Sequence, residues 1–265
     1  MTWKAIGVSV IGTSHTKVGK PCQDSSAIEV LDDDVLIGIV ADGLGSAERS
    51  EVGSALVVET VMKTLKEGID PLFPDSDLAW QELMQNAFKQ ARAALESKAE
   101  EFNCPLRELG TTLICFVYAP GTIAIGQIGD GALVIQFEDD SLITVSSPQR
   151  GEFANETVPL TMDNALERVF YHVQPAQAKN IAAFSDGLQN LALISMNYQP
   201  FEPFFTPLFN LITNSEDLAA TKTKLADFLG SEKVTGRTDD DKTLLLAHFI
   251  KVPPQEEKEI MEEKL

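Results

Sequence analysis

Three aspartates in this sequence are each followed by glycine and preceded by a run of apolar residues. They are Asp42, Asp130 and Asp186. Asp-Gly is common in turns, but Asp42 and Asp186 precede segments of helical character rather than a second strand. A glycine at such a position lets a ligand approach the backbone closely and frees a carbonyl for coordination. The pattern favours a binding site at the ends of several strands.

Two further acidic positions adjoin predicted strands. Asp24 precedes a strand that begins at Ser26, and Asp239-Asp240-Asp241 precedes the strand Leu244–Phe249. Carboxylate and carbonyl oxygens suit hard cations such as Mg²⁺ and Mn²⁺. Carboxylates that converge repel one another unless cations neutralise them. Convergence of these aspartates would therefore indicate a metal site, whereas separate positions would make them ordinary turn residues.

The apolar runs predict largely antiparallel sheet structure, because short turns connect consecutive strands. The turns are Asp32–Asp34, Pro120-Gly121 and Glu138–Asp140, and their acidic residues are expected to be solvated. The predicted strands are Ser26–Leu31, Val35–Ala41, Leu113–Ala119, Thr122–Ile128, Ala132–Phe137, Leu142–Val145, Ile181–Ser185 and Leu244–Phe249.

Two long helices are predicted between the second and third of these strands. The first covers Ala47–Lys66, and the second begins near Ser76 or Asp77 and ends near Phe102. Apolar residues at helical spacing form one stripe on the second helix, which is typical of a helix that packs on a sheet. Shorter helices are predicted over Gly187–Met196, Pro203–Asn214 and Asp217–Leu229.

Residues 1–252 are predicted to form one domain. Within it, Ser146–Lys179 has weak periodicity and many polar residues, so we expect an irregular excursion there. Excursions of this length in compact domains are usually functional. Residues 253–265 are mostly charged and are expected to form a solvated tail.

Composition excludes several classes of protein. The chain has 265 residues with 40 acidic and 21 basic side chains, a formal net charge of −19. Such a surface repels phosphate backbones and anionic lipid, so we expect neither nucleic-acid nor membrane binding. Three scattered cysteines do not form a disulfide framework. No segment resembles a signal peptide or a membrane span, so a cytoplasmic location is expected.

Six motifs occur along the chain in a characteristic order. They are Gln23-Asp24, Ala41–Gly45, Leu109–Leu113, Ile128–Gly131, Phe184–Leu188 and Asp240–Thr243. In this order they resemble the type 2C family of metal-dependent serine/threonine protein phosphatases. The resemblance covers the chain from about Gly12 to Phe249, and the segments Ser14–Asp24 and Gly151–Thr157 look like a bacterial branch of that family.

This resemblance implies an α+β fold, a four-layer α-β-β-α sandwich whose two central, mainly antiparallel sheets are flanked by helices. Residues 1–252 would be the phosphatase domain, with residues 146–179 as a flap beside the site. The resemblance also implies phosphorylated protein substrates, a role in bacterial signalling and a monomeric protein.

The resemblance further implies a site for two ions of Mg²⁺ or Mn²⁺. Asp42 would bridge both metals, and Asp186 and Asp240 would complete the protein ligands of one of them. Asp24 and the carbonyl of Gly43 would serve the other. A water molecule between the metals would attack phosphorus in line and hydrolyse phosphoserine or phosphothreonine directly. Asp42 and Asp186 would thus be the catalytic residues.

Other positions extend or modify this pattern. Asp130 matches a family position linked to a third, weaker metal, which would also use Asp186. Asp241 stands where the family usually has asparagine, and either residue can accept hydrogen bonds. Cys22 is not followed by a Cys-x₅-Arg loop, which argues against a cysteine-based phosphatase. Leu44 follows Gly43 where some family members carry a histidine general acid.

One departure concerns the substrate phosphate. The family commonly has an arginine five residues before the aspartate at position 24, where this chain has Gly19. His15 and Lys20 are the candidates to bind substrate in its place, and Arg49 or Arg150 could reach the site from elsewhere. His15 is equally compatible with a histidine held in a loop without a functional role, and Lys20 with a solvated cation.

Two alternatives to an active phosphatase stay open. The missing arginine is compatible with a catalytically weak or inactive module of the same fold that binds phosphoproteins. An acidic scaffold whose aspartates are merely turn residues is the third interpretation. Binding of Mg²⁺ or Mn²⁺ separates this scaffold from the other two.

Overall fold

The computed structural model describes residues 2–31, 34–69, 73–149, 157–194 and 197–250. Its strands are β1 (Thr2–Val10), β2 (Ser25–Leu31), β3 (Val35–Ala41), β4 (Leu113–Ala119), β5 (Thr122–Ile128), β6 (Ala132–Phe137), β7 (Leu142–Ser146), β8 (Phe170–Pro175), β9 (Ala178–Phe184), β10 (Leu193–Ile194), β11 (Gln199–Pro200) and β12 (Lys242–Ile250). Its helices are α1 (Thr13–Val18), α2 (Ser50–Ile69), α3 (Asp77–Glu101), α4 (Ala165–Arg168), α5 (Gln189–Ala192), α6 (Glu202–Thr213), α7 (Leu218–Gly230) and α8 (Glu232–Thr235). Among these helices, none combines the length and the apolar character needed to cross a membrane.

Two five-stranded sheets form the centre of the molecule. Their strand orders are β1-β12-β9-β6-β7 and β2-β3-β4-β5-β8, and neighbouring strands are antiparallel. An apolar layer that includes Leu133 and Leu245 from the first sheet and Leu36 and Phe116 from the second lies between them. Because both faces of the central strands are covered, β3 and β4 are buried at every residue.

Helices cover the two outer faces of this pair of sheets. On the second sheet, α2 and α3 contribute buried residues such as Val61, Met84 and Phe88. On the first sheet, α6 and α7 contribute Phe205 and Leu225. Each fully buried side chain of this kind contributes about 1.5–3 kcal/mol relative to an exposed one. The predicted four-layer α-β-β-α sandwich is confirmed.

Local sequence pattern predicts the central strands better than the edges. Strands β3, β4, β5 and β6 have the predicted bounds, and the predicted N-cap Ser76 accepts a hydrogen bond from the N–H of Ala79 at 3.2 Å. The pattern does not predict β1 or β8, which lie at sheet edges and mix polar with apolar residues. The helix predicted over Gly187–Met196 is wrong at Leu193–Ile194, because these residues pair with β11, and residues 195–196 lie outside the described residues.

The irregular excursion predicted at 146–179 is also shorter than expected. Strand β8 and helix α4 lie within it, and β8 joins the second sheet next to β5. The part after residue 157 is held on α3, since the guanidinium of Arg92 donates to the carbonyls of Leu160 and Met162 at 2.8 and 2.7 Å. Residues 150–156 and the predicted charged tail, residues 253–265, lie outside the described residues.

Candidate metal centre

A polar cavity of about 470 Å³ lies where several strands of the two sheets end. It is lined by Ser14, His15, Val18, Lys20, Asp42, Gly43, Leu44, Gly45, Thr112, Asp130, Thr157, Asp186 and Asp240. The cavity thus brings together five of the six predicted metal ligands and both residues predicted to bind substrate.

Three of these carboxylates form a compact group. Asp42 directly follows β3, whereas Asp130 and Asp186 follow β5 and β9 after one intervening residue each. One carboxylate oxygen from each lies within 4.8 Å of the corresponding oxygens of the other two. Three oxygens at this spacing can all contact one small cation. The structure thus brings together the aspartates of the three Asp-Gly motifs.

Hydrogen bonds from the adjoining β4 segment hold the backbone of Asp42. The hydroxyl of Thr112 accepts a hydrogen bond from the N–H of Asp42 at 3.0 Å, and the N–H of Thr112 donates to the Asp42 carbonyl at 2.8 Å. The hydroxyl of Thr111 donates to the same carbonyl at 3.0 Å. These bonds fix the chain where β3 ends, so the Asp42 carboxylate is presented by a rigid turn.

Gly43 lies at a very close approach of two segments. Its N–H donates to the carbonyl of Gln23 at 3.1 Å, and a Cβ at position 43 would stand 2.6 Å from that carbonyl oxygen. Such a contact is shorter than real Cβ atoms show, so this turn requires glycine. The Asp-Gly motif at 42–43 therefore meets a packing constraint beside the carboxylate group.

Burial and mutual repulsion make this site costly without a cation. Burial, followed by the charges of Asp24 and Asp186, raises the pKa of Asp42 well above its ordinary value. Burial, followed by the charge of Asp130, raises the pKa of Asp186 to about 6. Burial also raises the pKa of Asp130, against a hydrogen bond from Thr157 that lowers it. A bound divalent cation would reverse this balance by favouring all the ionised forms.

Two buried carboxylate oxygens have no hydrogen-bond partner among the described residues. They are Oδ1 of Asp186 and Oδ1 of Asp24. A buried, unpaired oxygen costs about 1–3 kcal/mol, more when it is charged. Oxygen donors of this kind are the ligands that Mg²⁺ and Mn²⁺ prefer. The residues present therefore fit a divalent cation.

Asp24 is placed differently from the other predicted ligands. It is buried but lies outside the residues that line the cavity and outside the compact group of three. Its Oδ2 accepts hydrogen bonds from the hydroxyls of Ser185 and Thr243, each at 2.7 Å. Burial, only partly offset by these hydrogen bonds from Thr243 and Ser185, raises its pKa to about 7. Its charge nevertheless contributes to the raised pKa of Asp42.

Asp240 lines the same cavity from the loop before β12 and is exposed. Its carboxylate accepts a hydrogen bond from the N–H of Asp241 at 2.8 Å. Its charge contributes to the raised pKa values of Asp130 and Asp186. Asp240 thus belongs to the electrostatic environment of the group of three without being part of it.

The basic candidates occupy distinct environments. His15 is buried and lies in α1 rather than in a loop, and its Nδ1 lies 3.0 Å from Oδ2 of Asp241. Lys20 is exposed at the cavity rim, where its ammonium donates to the carbonyl of Gly45 at 2.9 Å. Arg49 pairs with Glu108 and does not line the cavity. Arg150 lies outside the described residues.

The sequence pattern does not identify the hydroxyl groups that hydrogen-bond to the carboxylates. Thr157 donates to Oδ2 of Asp130 at 2.6 Å, while Ser185 and Thr243 hold Asp24. Ser185 and Thr243 lie within two of the six motifs, and Thr157 ends the segment Gly151–Thr157, so their positions in these segments are the signal available in the sequence. Their partners are far apart in the chain, so only the fold identifies the pairs.

The metal-free protein is expected to lose stability as the pH rises from about 4 to above 7. In the folded state, the pKa values of Asp24 and Asp186 are raised to about 7 and about 6, from 3.8. Their stabilising contribution is therefore fully present below the ordinary pKa and lost as the pH rises through the folded values. Urea denaturation with chelator should show Asp24→Asn gaining stability relative to wild type between pH 5 and 8. A difference that does not change with pH would contradict the expectation.

The chain is similar to known protein phosphatases. The family model described as protein phosphatase 2C matches residues 11–230. "Serine/threonine-protein phosphatase 3" of Escherichia coli (strain K12) is 33 % identical over 254 residues, which cover 93 % of this chain and 98 % of that protein.

Solved structures share the fold. Serine/threonine phosphatase Stp1 from Staphylococcus aureus has a TM-score of 0.65 at 15 % identity, over 95 % of this chain and 96 % of that chain. The catalytic domain of serine threonine protein phosphatase PstP, in complex with two manganese ions, has a TM-score of 0.62 at 17 % identity, over 94 % and 99 %. At these identities the likeness concerns the fold alone.

Proposed function

Because the chain belongs to the protein phosphatase 2C family, we propose that it hydrolyses phosphoserine and phosphothreonine in phosphorylated proteins, with water attacking phosphorus directly at a site for two divalent metals. The observation that carries this proposal is the group formed by Asp42, Asp130 and Asp186 in a polar cavity, with oxygens within 4.8 Å of one another. The 33 % identical relative named as a serine/threonine-protein phosphatase supports the substrate class.

We assign the cofactor as Mg²⁺ or Mn²⁺. Asp42 would contact both ions, with Asp186 and Asp240 on one side and Asp24 and the Gly43 carbonyl on the other. Asp130 would hold a third ion together with Asp186. When bound, such ions lower the pKa of water and neutralise the charge of phosphoryl oxygens. The two manganese ions in the PstP catalytic domain support this assignment.

The protein's own groups would hold the ligands and the substrate in place. Thr157 orients Asp130 by a hydrogen bond of 2.6 Å, and Ser185 with Thr243 orients Asp24. His15 and Lys20, which line the cavity, are the groups proposed to face the substrate phosphate. We further propose a monomeric protein that acts in cytoplasmic bacterial signalling.

A thiol nucleophile is disfavoured by the environment of the cysteines. Burial, followed by the charges of Asp24 and Asp241, raises the pKa of Cys22 to about 12. Burial raises the pKa of Cys115 to about 12 as well. The thiolate is the nucleophilic form, and at neutral pH these two thiols remain protonated. Direct attack by water is therefore favoured over a phosphocysteine intermediate.

A non-catalytic module that binds phosphoproteins is the second candidate. Gly19, which stands where the family commonly has arginine, has a φ of +70° at the end of α1 and places no side chain toward the cavity. The complete set of acidic residues in and beside the cavity weighs against this candidate. It predicts binding of a phosphopeptide without phosphate release.

An assay of phosphate release tests the proposed function. The purified protein is incubated with an aryl phosphate and with a phosphothreonine peptide, with Mn²⁺ and with excess chelator. Turnover of both substrates with Mn²⁺ and its loss with chelator are expected. Phosphopeptide binding without release would favour the binding module, and no metal-dependent turnover of either substrate would reject the enzyme.

A further inference from the structure

The carboxylate of Asp241 has three hydrogen-bond donors around it. The N–H of Gly12 donates to Oδ1 at 2.6 Å, and the N–H of Gln23 donates to Oδ2 at 2.6 Å. Nδ1 of His15 lies 3.0 Å from the same Oδ2. Asp241 is only 3 % exposed, so water does not replace these partners. The surroundings of Asp241 thus suit a group that accepts hydrogen bonds at both oxygens.

An asparagine could not satisfy this arrangement. Its side chain has one accepting oxygen and one donating NH₂ group, whereas an ionised aspartate accepts at both positions. If the amide oxygen took the place of Oδ1, the NH₂ group would face the N–H of Gln23 and the ring of His15. If it took the place of Oδ2, the NH₂ group would face the N–H of Gly12. The aspartate at position 241 therefore has a role that the family's usual asparagine could not fill.

Pairing with Asp241 determines how His15 is presented. A carboxylate that accepts from Nδ1 requires the proton on that nitrogen, which fixes the tautomer and the orientation of the ring. His15 is buried, with 9 % of its surface exposed, and it lines the cavity that holds the carboxylate group. The ring nitrogen available to a ligand in the cavity is therefore Nε2.

The other basic candidates do not offer an equally fixed group. Lys20 is exposed and its ammonium already donates to the carbonyl of Gly45. Arg49 pairs with Glu108, lies 5.8 Å from the ring centroid of Phe102, and does not line the cavity. Among the described basic residues at the cavity, His15 alone is both buried and held by a carboxylate.

We propose, on the basis of the proposed phosphatase function, that His15 contacts the substrate phosphoryl group in place of the missing arginine and that Asp241 is its positioning residue. Asp241 holds the ring through Nδ1, and Nε2 is the nitrogen that contacts the phosphoryl group.

Variants at both positions test this proposal in steady-state kinetics. His15→Gln, Asp241→Asn and the double variant are assayed with a phosphothreonine peptide and Mn²⁺. Each single variant is expected to raise KM by about 10-fold with a smaller change in kcat, because the lost contact is made in the bound substrate. The double variant should raise KM no further, because the two residues act as one unit. Lys17→Gln, on the exposed face of α1, is the matched control.

Peptide binding gives a readout that does not require turnover. The dissociation constant of the phosphothreonine peptide is measured by calorimetry, with the unphosphorylated peptide as reference. Each single variant should weaken binding of the phosphorylated peptide by about 10-fold, which corresponds to about 1.4 kcal/mol. Binding of the unphosphorylated peptide should not change. Absence of turnover in the wild type would reject the phosphatase, while this measurement would still test the phosphate contact.

Two outcomes would overturn the proposal. Unchanged KM and unchanged phosphopeptide affinity in His15→Gln would exclude His15 as the phosphate contact. Additive effects of His15→Gln and Asp241→Asn would show that Asp241 acts independently of His15. His15→Gln leaves both carboxylate oxygens of Asp241 and their two backbone donors in place, so it keeps the proposal testable even if Asp241→Asn does not fold.

Discussion

A loss of more than about 100-fold in kcat is expected when Asp186 is replaced by asparagine. Asp186 has an oxygen within 4.8 Å of those of Asp42 and Asp130, and its Oδ1 is buried without a hydrogen-bond partner among the described residues. Asparagine keeps the size of the side chain and removes the charge that a divalent cation requires. The measurement is kcat for an aryl phosphate at saturating Mn²⁺.

Asp139→Asn is the matched control for this variant. Asp139 lies in the exposed turn between β6 and β7, where its carboxylate accepts hydrogen bonds from Ser141, and it does not line the cavity. The same change of charge at this position should leave kcat within about twofold of wild type. A near-normal kcat in Asp186→Asn, with the fold intact, would place the chemistry elsewhere in the molecule.

Mn²⁺ is expected to stabilise the folded protein strongly. A ligand at 100 times its Kd stabilises the state it binds by about 2.7 kcal/mol. For a chain of this size, that corresponds to a rise in Tm of about 5–10 °C. The effect should exceed that of an ordinary surface site, because the cation also removes repulsion among carboxylates whose pKa values are raised by burial.

Asp42→Asn separates this effect from general binding of cations to an acidic surface. The variant should lose most of the Mn²⁺-dependent rise in Tm, and its metal-free form should be at least as stable as wild type at pH 8. Both results follow from removing one of the buried, mutually repelling charges. An equal rise in Tm for Asp42→Asn and wild type would mean that Mn²⁺ stabilises the protein without using this group.

The centre of the fold was accessible from sequence because its strands are buried on both faces. Strands β3 and β4 are continuous apolar runs with short flanking turns, so composition alone defines their bounds. The aspartates that follow β3, β5 and β9 could be recognised from their position after such runs. Their convergence required the pairing of distant strands, for which the resemblance to a family supplied the expectation.

The parts that sequence did not predict depend on long-range contacts. β1 pairs with β12, for example Ile6 with Leu246, and no local pattern connects residues so far apart. The contact between His15 and Asp241 likewise joins α1 to the loop before β12. The hydrogen bonds from Ser185 and Thr243 to Asp24 join three segments that are far apart in the chain. Each of these contacts depends on tertiary packing, which no local sequence pattern specifies.

Anomalous diffraction from crystals soaked with Mn²⁺ tests the central claim most directly, because it locates the metal without reference to activity. The account predicts strong anomalous peaks at coordination distance from the carboxylates of Asp42 and Asp186, in the cavity that His15 and Thr112 also line. Their absence from this cavity at saturating Mn²⁺, or peaks confined to surface carboxylates such as Asp139, would contradict it.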